Sequence, residues 1–367
     1  MAERRWHRLY FDDWVAAEGL ELIHGCKIED VHQVPLRPWA RTGGNAVWMQ
    51  LEGTGGLNGG YICEIPPGKE LKPKRQLFEE LIYILAGQGS SMVWYEGQTR
   101  RPRRTKATFE WTAGSLFAIP LNAWHQHFNG SGRTPVRYLS VTTAPITMNL
   151  IRDADFIFNC EATFPDRYAS QDGYFSGEFK MEEFSGWGFP VSVAFSNLYP
   201  DIHAVPFSDV NRGVGVRHVQ YELANGVSSA HRLEMPGGTF TKLHRHGPGA
   251  HVLWLAGEGY TVMWPDGGEM VQEFWRPGTM MVPPEGWWHQ HAVVSREPGL
   301  HFALKFGSRT NSVTKGNMAS MKSARDGGNQ MEYEDIPKDV LDKLVTMFAN
   351  ECAKRGTPAK MEAILGG

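Results

Sequence analysis

Half of the 14 histidines in this 367-residue chain sit in short, similarly spaced blocks. The later blocks run Gly238-x5-His244-x-His246 and Gly278-x5-Pro284-x-Gly286-x2-His289. Two histidines at i and i+2 of a strand project from one face, and a third from a facing strand can close a set around one cation. Imidazole suits Fe(II), Zn, Cu or Ni, and three protein ligands leave positions open for water, substrate or O2. His244, His246 and His289 are therefore the expected metal ligands.

The neighbouring positions follow by strand parity. His291 shares the face of His289 and is expected to point inward, either as a proton donor beside the metal or bonded to a nearby carbonyl. Its counterpart His127 has no metal set around it, which favours a structural role there. His251 points out of the barrel if the register follows Gly257, and becomes a fourth ligand if a bulge intervenes. His291 and His251 are the candidate acid/base groups, since imidazole shuttles protons near neutral pH. Val252 and Trp254 share parity with Ala250, and Trp287 with His289. All three are expected on the substrate side, where aromatic rings would suit an aromatic or apolar substrate. With 13 tryptophans in the chain, ordinary core packing is the competing expectation for each ring. Arg245, between two ligands on the opposite face, is expected in a structural ion pair.

What must position these residues is a repeat. GGYICEIPPG (59–68) matches SAHRLEMPGG (229–238), and IYILAGQGSSMVW (82–94) matches VLWLAGEGYTVMW (252–264), both at an offset of 170 residues. GSLFAIPLNAWHQH (114–127) matches GTMMVPPEGWWHQH (278–291) at an offset of 164, so the first copy carries six extra residues. Those extra residues include the basic run Arg100-Arg101-Pro102-Arg103-Arg104, expected at a hairpin tip. Short apolar runs punctuated by Gly and Pro predict antiparallel strands in a sandwich or barrel. The expected organisation is an N-terminal extension (1–40) with a short helix near Asp12–Leu20, a first barrel (41–150), and a structured connector (151–210). A second barrel (211–307) and a tail (308–367) follow. The tail is expected as a polar loop over 308–330, then a helix from about Pro337 to Arg355. Val340, Leu341, Leu344, Val345 and Phe348 form one apolar helix face that must bury against a barrel or a partner.

With those blocks in view, the chain resembles the cupin superfamily, whose motifs are G-x5-H-x-H-x(3,4)-E-x6-G and G-x5-P-x-G-x2-H-x3-N. The second copy matches both, with Ala250 at the glutamate position and Val293 at the final asparagine. The fold implied is all-β in the main: two tandem cupin barrels of the double-stranded β-helix or jelly-roll type, with a C-terminal α-helix. Cupins lacking the glutamate resemble three-histidine Fe(II) dioxygenases. Within them, His244-Arg245-His246, Ala250 and Trp288-His289-Gln290-His291 are similar to the metal segments of bicupin gentisate and salicylate ring-cleaving enzymes. Val252 stands where those enzymes carry a substrate-binding Arg, and their metal sits in the N-terminal barrel rather than the C-terminal one. In the first copy the ligand positions hold Lys74, Gln76, Glu80 and His125. A protonated Lys has no lone pair and repels a cation, so that barrel is expected to be metal-free, with Lys74 and Glu80 as an internal ion pair.

These features lead to an expected Fe(II)-dependent dioxygenase, with Zn, Mn or Ni as other candidate metals, acting with O2 on a small anionic substrate that chelates the metal, an aromatic hydroxy acid or an enolisable compound. The alternatives are a redox-neutral metal-dependent lyase, isomerase or decarboxylase, and a non-enzymatic small-molecule-binding bicupin. A net charge of −3 gives no field to recruit nucleic acid. Cys26, Cys63, Cys160 and Cys352 form no Cys-x-x-Cys pair, which predicts neither disulfides nor thiolate metal sites. No signal core or membrane span is seen; a cytoplasmic homodimer or larger homo-oligomer is the expectation, with no membrane partner.

Overall fold

A computed structural model describes residues 9–95, 106–185, 190–311, 313 and 322–365. The basic run at 100–104 lies outside them, as does most of 312–321.

Each repeat copy folds as two antiparallel sheets closed into a barrel. In the first, Gly59–Ile65 pairs with Val136–Thr142, which pairs with Glu80–Ala86 and through it with Leu116–Ile119. A three-stranded sheet, Trp124–Asn129, Gln88–Trp94 and Ala107–Thr112, faces it. In the second, Ser228–Met235, Gly299–Phe306, Ala250–Ala256 and Met280–Met281 form the corresponding run. Val271–Trp275, Gly259–Trp264, Trp288–Val293 and Leu243–His244 form the opposing sheet. The chain crosses from one sheet to the other after Ala86 and after Ala256, turning at Gly87 (φ 88°) and Gly257 (φ 76°). A Cβ on Gly257 would meet the Pro298 carbonyl oxygen at 2.6 Å, so the matched glycines are required by both handedness and space.

The period of two along each strand separates three cores. Inside the first barrel lie Trp48, Tyr61, Ile82, Phe117 and Tyr138. Outward residues of the two larger sheets pack on one another between the barrels, with Tyr83 on Phe302 at 4.8 Å and Leu81, Leu139, Tyr221 and Leu253 around them. The third core lies inside the second barrel, where Trp254 stacks on Trp275 at 3.4 Å.

The flanking segments cross between barrels. Lys27–Ile28, in the N-terminal extension, pairs with Met280–Met281 of the second barrel. Leu198–Tyr199, in the connector, pairs with Leu116 and Phe117 of the first. Connector strands Lys180–Phe184 and Val191–Phe195 extend the large sheet of the second barrel. The first helix spans Tyr10–Ala17 and the C-terminal one Lys338–Lys354, with Pro337 just before its first turn. The latter's apolar face covers the small sheet of the second barrel, Phe348 meeting Phe240 at 5.0 Å, so its face is satisfied within the chain. The tail expected as a loop is partly ordered: Gln330–Met331 adds a short strand beside Leu243–His244. All four cysteines are free thiols, and no helix of the described residues is long and apolar enough to cross a membrane.

Candidate metal centre

His244 ends a two-residue strand whose register partner is His289 on Trp288–Val293. His246 follows two residues later. Ligand nitrogens of His244, His246 and His289 all lie within 4.8 Å of one another, and among the described residues this is the set of three that could share an ion. The ring centroids of His244 and His289 are 4.0 Å apart, and those of His246 and His289 5.0 Å.

Main-chain carbonyls set two of the tautomers. Nδ1 of His244 donates to the Lys242 carbonyl at 3.0 Å, and Nδ1 of His289 to that of Trp287 at 3.0 Å. A carbonyl only accepts, so each Nε2 keeps its lone pair, as a metal requires. Burial first, then the neighbouring cations, pushes all three imidazoles below their ordinary range. His289 falls to about 4, and His244 and His246 lie well below 6.5. Three neutral, converging nitrogen donors with no carboxylate among them fit a divalent first-row ion.

The cavity over these nitrogens has a volume of about 70 Å³ and is lined by further basic groups: Arg212, His218, His231, His301, Lys305 and Arg309. That is room for a handful of water-sized positions, which suits a small acid. Arg212 is buried, donates to the Gln330 side chain at 3.0 Å, and keeps a pKa of about 9 despite desolvation, so it stays cationic. His301, held down to about 3 by burial, has no hydrogen-bond partner among the described residues on either ring nitrogen. His291 lines the same space, 5.7 Å from His289, with Nδ1 2.8 Å from the Thr261 hydroxyl. That hydroxyl lies 3.2 Å from the Met281 sulfur. A hydrogen directed at sulfur makes Thr261 the acceptor from Nδ1 and leaves Nε2 of His291 as a base.

The remaining sequence candidates are placed as follows. Ala250 and Val252 line the cavity. His251 does not: the pairing of Ala250 through Trp254 with the neighbouring strand is continuous, without a bulge. His251 therefore faces the inter-barrel side with Leu253, and the structure corrects the reading of it as an acid/base group or fourth ligand. Trp254 is inside the barrel but spent on Trp275, with its edge toward His291 and His301. Trp287 is half-buried, packed against the interior core, and serves His289 through its carbonyl. Neither ring lines the cavity, which removes the argument for an aromatic substrate. Arg245 pairs with Asp266 at 2.8 Å and lies over the Trp288 ring.

Sequence reasoning missed Arg212, His218, His231, His301, Lys305 and Arg309. A signal existed for three of them. His218, Gln220 and Glu222 alternate with Val219 and Tyr221, and His301 and Lys305 alternate with Phe302 and Leu304. Alternation of polar residues inside an otherwise apolar strand marks an inward polar face.

In the first barrel the equivalent positions are locked. Glu80 accepts from Gln76 (2.7 Å), Ser140 (2.8 Å) and the Tyr61 hydroxyl, with Lys74 at 3.4 Å and His125 at 3.5 Å. Burial would raise the Glu80 carboxyl, but Lys74, His125 and the Tyr61 bond outweigh it and hold it at about 2. A cation and a carboxylate thus occupy the interior that a metal would need.

No protein-family model matches the chain, and no curated protein matches it in sequence. Among solved structures it is similar to a formate complex of Lactobacillus farciminis oxalate decarboxylase, with TM-score 0.51 and 12% identity over 78% of this chain and 88% of that one. It is also similar to a single-site variant of Bacillus subtilis oxalate decarboxylase, with TM-score 0.50 and 12% identity over 87% of this chain and 86% of that one. At such identities the likeness is one of fold, and with the two matched barrels it shows that this chain has a bicupin fold.

Proposed function

We propose that the second barrel is the active site of a metal-dependent enzyme acting on a small carboxylate, and that the reaction is redox-neutral, a decarboxylation or related lyase step. One observation carries this reading: three neutral imidazoles converge beside Arg212 and Arg309 in a small enclosed cavity. His244, His246 and His289 would hold the ion, which when bound would supply Lewis-acid polarisation of a substrate oxygen. Arg212 offers a fixed charge-assisted donor to the carboxylate. His291 is placed to hold or move a proton at Nε2. Leu233 and Val252 give the cavity an apolar wall that limits water around the reacting group. Decarboxylation comes first because the solved structures of this fold named above are oxalate decarboxylases.

The oxygen-dependent reading is second. It is favoured by Ala250, which leaves an all-imidazole set with no anionic ligand, suited to Fe(II) and a chelating anion. Metal analysis of protein purified without added metal, followed by CO2 and O2 measurement with a panel of small carboxylates, separates the two. CO2 release without matching O2 uptake is expected. O2 consumed in proportion to product would install the dioxygenase reading, and failure to bind any divalent ion would overturn both.

A further inference from the structure

Among the described residues, each barrel has a buried lysine in its interior, and the two are treated differently. Lys74, in the closed first barrel, has the Glu80 carboxylate at 3.4 Å and the Tyr61 hydroxyl at 2.9 Å. Lys305, in the second, lines the cavity of the three-histidine site. It is 7% exposed, and its hydrogen bond goes to a neutral acceptor, the Gln220 amide oxygen at 3.2 Å. Among the described residues no carboxylate forms a salt bridge with it. The acid that acts on it electrostatically, Glu222, is used by the Ser308 hydroxyl (2.5 Å), the Arg309 backbone N–H (2.9 Å) and the Gln220 amide (3.1 Å).

The register explains where the amine points. Lys305 pairs directly with Ala250 on the neighbouring strand and shares the inward face of His301 and Ala303. Directly opposed residues have Cβ atoms roughly 5 Å apart, so the lysine stem rises beside the small methyl at the position where the cupin motif has glutamate. The space a ligating carboxylate would fill is opened by alanine and adjoined by an amine.

We propose that Lys305 is a nucleophile that captures the carbonyl carbon of a small oxo acid as a Schiff base within this cavity. The inference rests on the carboxylate-decarboxylase reading above and names its substrate class, a 3-oxo acid. A buried ammonium without a counter-ion is costly, and such groups shed the proton instead. Burial and the adjacent Arg309 hold this amine well below the ordinary lysine range, against a weaker pull from Glu222. Desolvation beside a second cation is a recognised route to an activated lysine.

The chemistry balances without an oxidant. The amine nitrogen attacks the carbonyl carbon, the C=O pair moves to oxygen, and protonation with loss of water leaves a protonated imine. The bond from the adjacent carbon to the carboxylate then breaks. Its electron pair flows toward the imine nitrogen, giving CO2 and an enamine. Protonation at carbon and hydrolysis release a ketone and restore the amine.

The test is reductive trapping. The full chain is incubated with acetoacetate and sodium borohydride, then digested and mapped by mass spectrometry, with bound metal measured on the same preparation. One reduced adduct on the peptide carrying Lys305 is expected. Lys305→Gln, which keeps a polar side chain and a neutral donor but no nucleophilic amine, is expected to lose it while retaining its circular dichroism spectrum. No adduct in the wild type, or an adduct that maps to other lysines, overturns the proposal; the wild-type map suffices even if the variant does not fold. Metal binding without trapping would remove Lys305 and leave the metal reading standing, whereas trapping in protein that binds no metal would do the reverse.

Discussion

His244 is held in place by its Nδ1 bond to the Lys242 carbonyl and by strand pairing on both sides. Removing its ring therefore deletes one Nε2 without unpicking the sheet. His244→Ala is expected to cut bound divalent metal from about one per chain to near zero with a native far-ultraviolet spectrum, as measured by elemental analysis and circular dichroism. Arg212 acts at a different level. It contributes no ligand, and its charge faces the substrate side of the same cavity. Arg212→Met should leave metal content intact and remove a charged hydrogen bond worth about 2 kcal/mol. KM for a carboxylate substrate should then rise by roughly 30-fold with a smaller change in kcat. Equal loss of metal in both variants would show that Arg212 serves the ligands instead of the substrate. The two residues also differ in how visible they are in the sequence. The histidine spacing is a local pattern, readable from two short blocks. Arg212 stands before its strand, in a segment with no motif, and reaches the site only because Lys242 and Gln330 bond to its neighbourhood across the fold.

At the scale of strands and loops, parity reasoning was sound where the register is regular. It placed Ala250, Val252 and His291 inward and allowed His251 outward, and continuous pairing with Gly299–Phe306 decides that last case. It failed for Trp254 and Trp287 because facing inward does not distinguish lining a cavity from filling the barrel floor. The Trp254–Trp275 stack is a contact between strands of opposite sheets that no local pattern announces. The replacement of the first barrel's metal set by Lys74 and Glu80 was legible, and it carries a pH signature. Glu80 sits at about 2, below the ordinary 4.5, so its contribution is present above pH 4.5 and lost as pH falls through 2. His125 is buried neutral at about 4, so the unfolded chain binds its proton first. Stability then falls as pH drops from 6.5 to 4. Melting temperature should hence be flat above neutrality and decline on acidification, and Glu80→Gln should lower it at pH 7 while flattening the decline below pH 4.5. A second element worth probing is the turn at Gly53. Its carbonyl accepts from the Gly249 N–H at 2.7 Å, and a Cβ there would lie 2.0 Å from the Pro283 carbonyl. Gly249 and Pro283 border the segments that bring Pro248 and Pro283 to the cavity wall. Gly53→Ala, made in the first barrel, should therefore cost about 1–3 kcal/mol and weaken metal retention in the second, measured by thermal melts and chelator competition.

For the whole molecule, a duplicated sequence suggests two independent units, and the pairing of strands contradicts independence. A boundary at residue 40 severs Lys27–Ile28 from the domain it joins, because that strand completes the sheet of the other barrel. A boundary at 150 does the same to Leu198–Tyr199. The repeat periodicity could reveal the barrels but not these exchanges, which depend on two-residue strands too short to carry a pattern. Between the barrels, Leu81, Tyr83 and Leu139 of one face Tyr221, Leu253 and Phe302 of the other, all almost wholly buried. Separating the halves would expose this apolar surface on both, at a cost of roughly 25 cal/mol for each Å² returned to water. Such a patch is a strong aggregation site. Residues 211–367 expressed alone should accordingly be recovered as aggregate or as a self-associated species on size-exclusion chromatography, and should be rescued by co-expression with residues 1–210. The intact chain should unfold in one calorimetric transition whose calorimetric and van't Hoff enthalpies agree. Metal addition should raise that single midpoint, because the ligands of the second barrel and the core shared with the first then unfold together. Two resolved transitions, only one of them metal-sensitive, would show that the shared core does not couple the barrels.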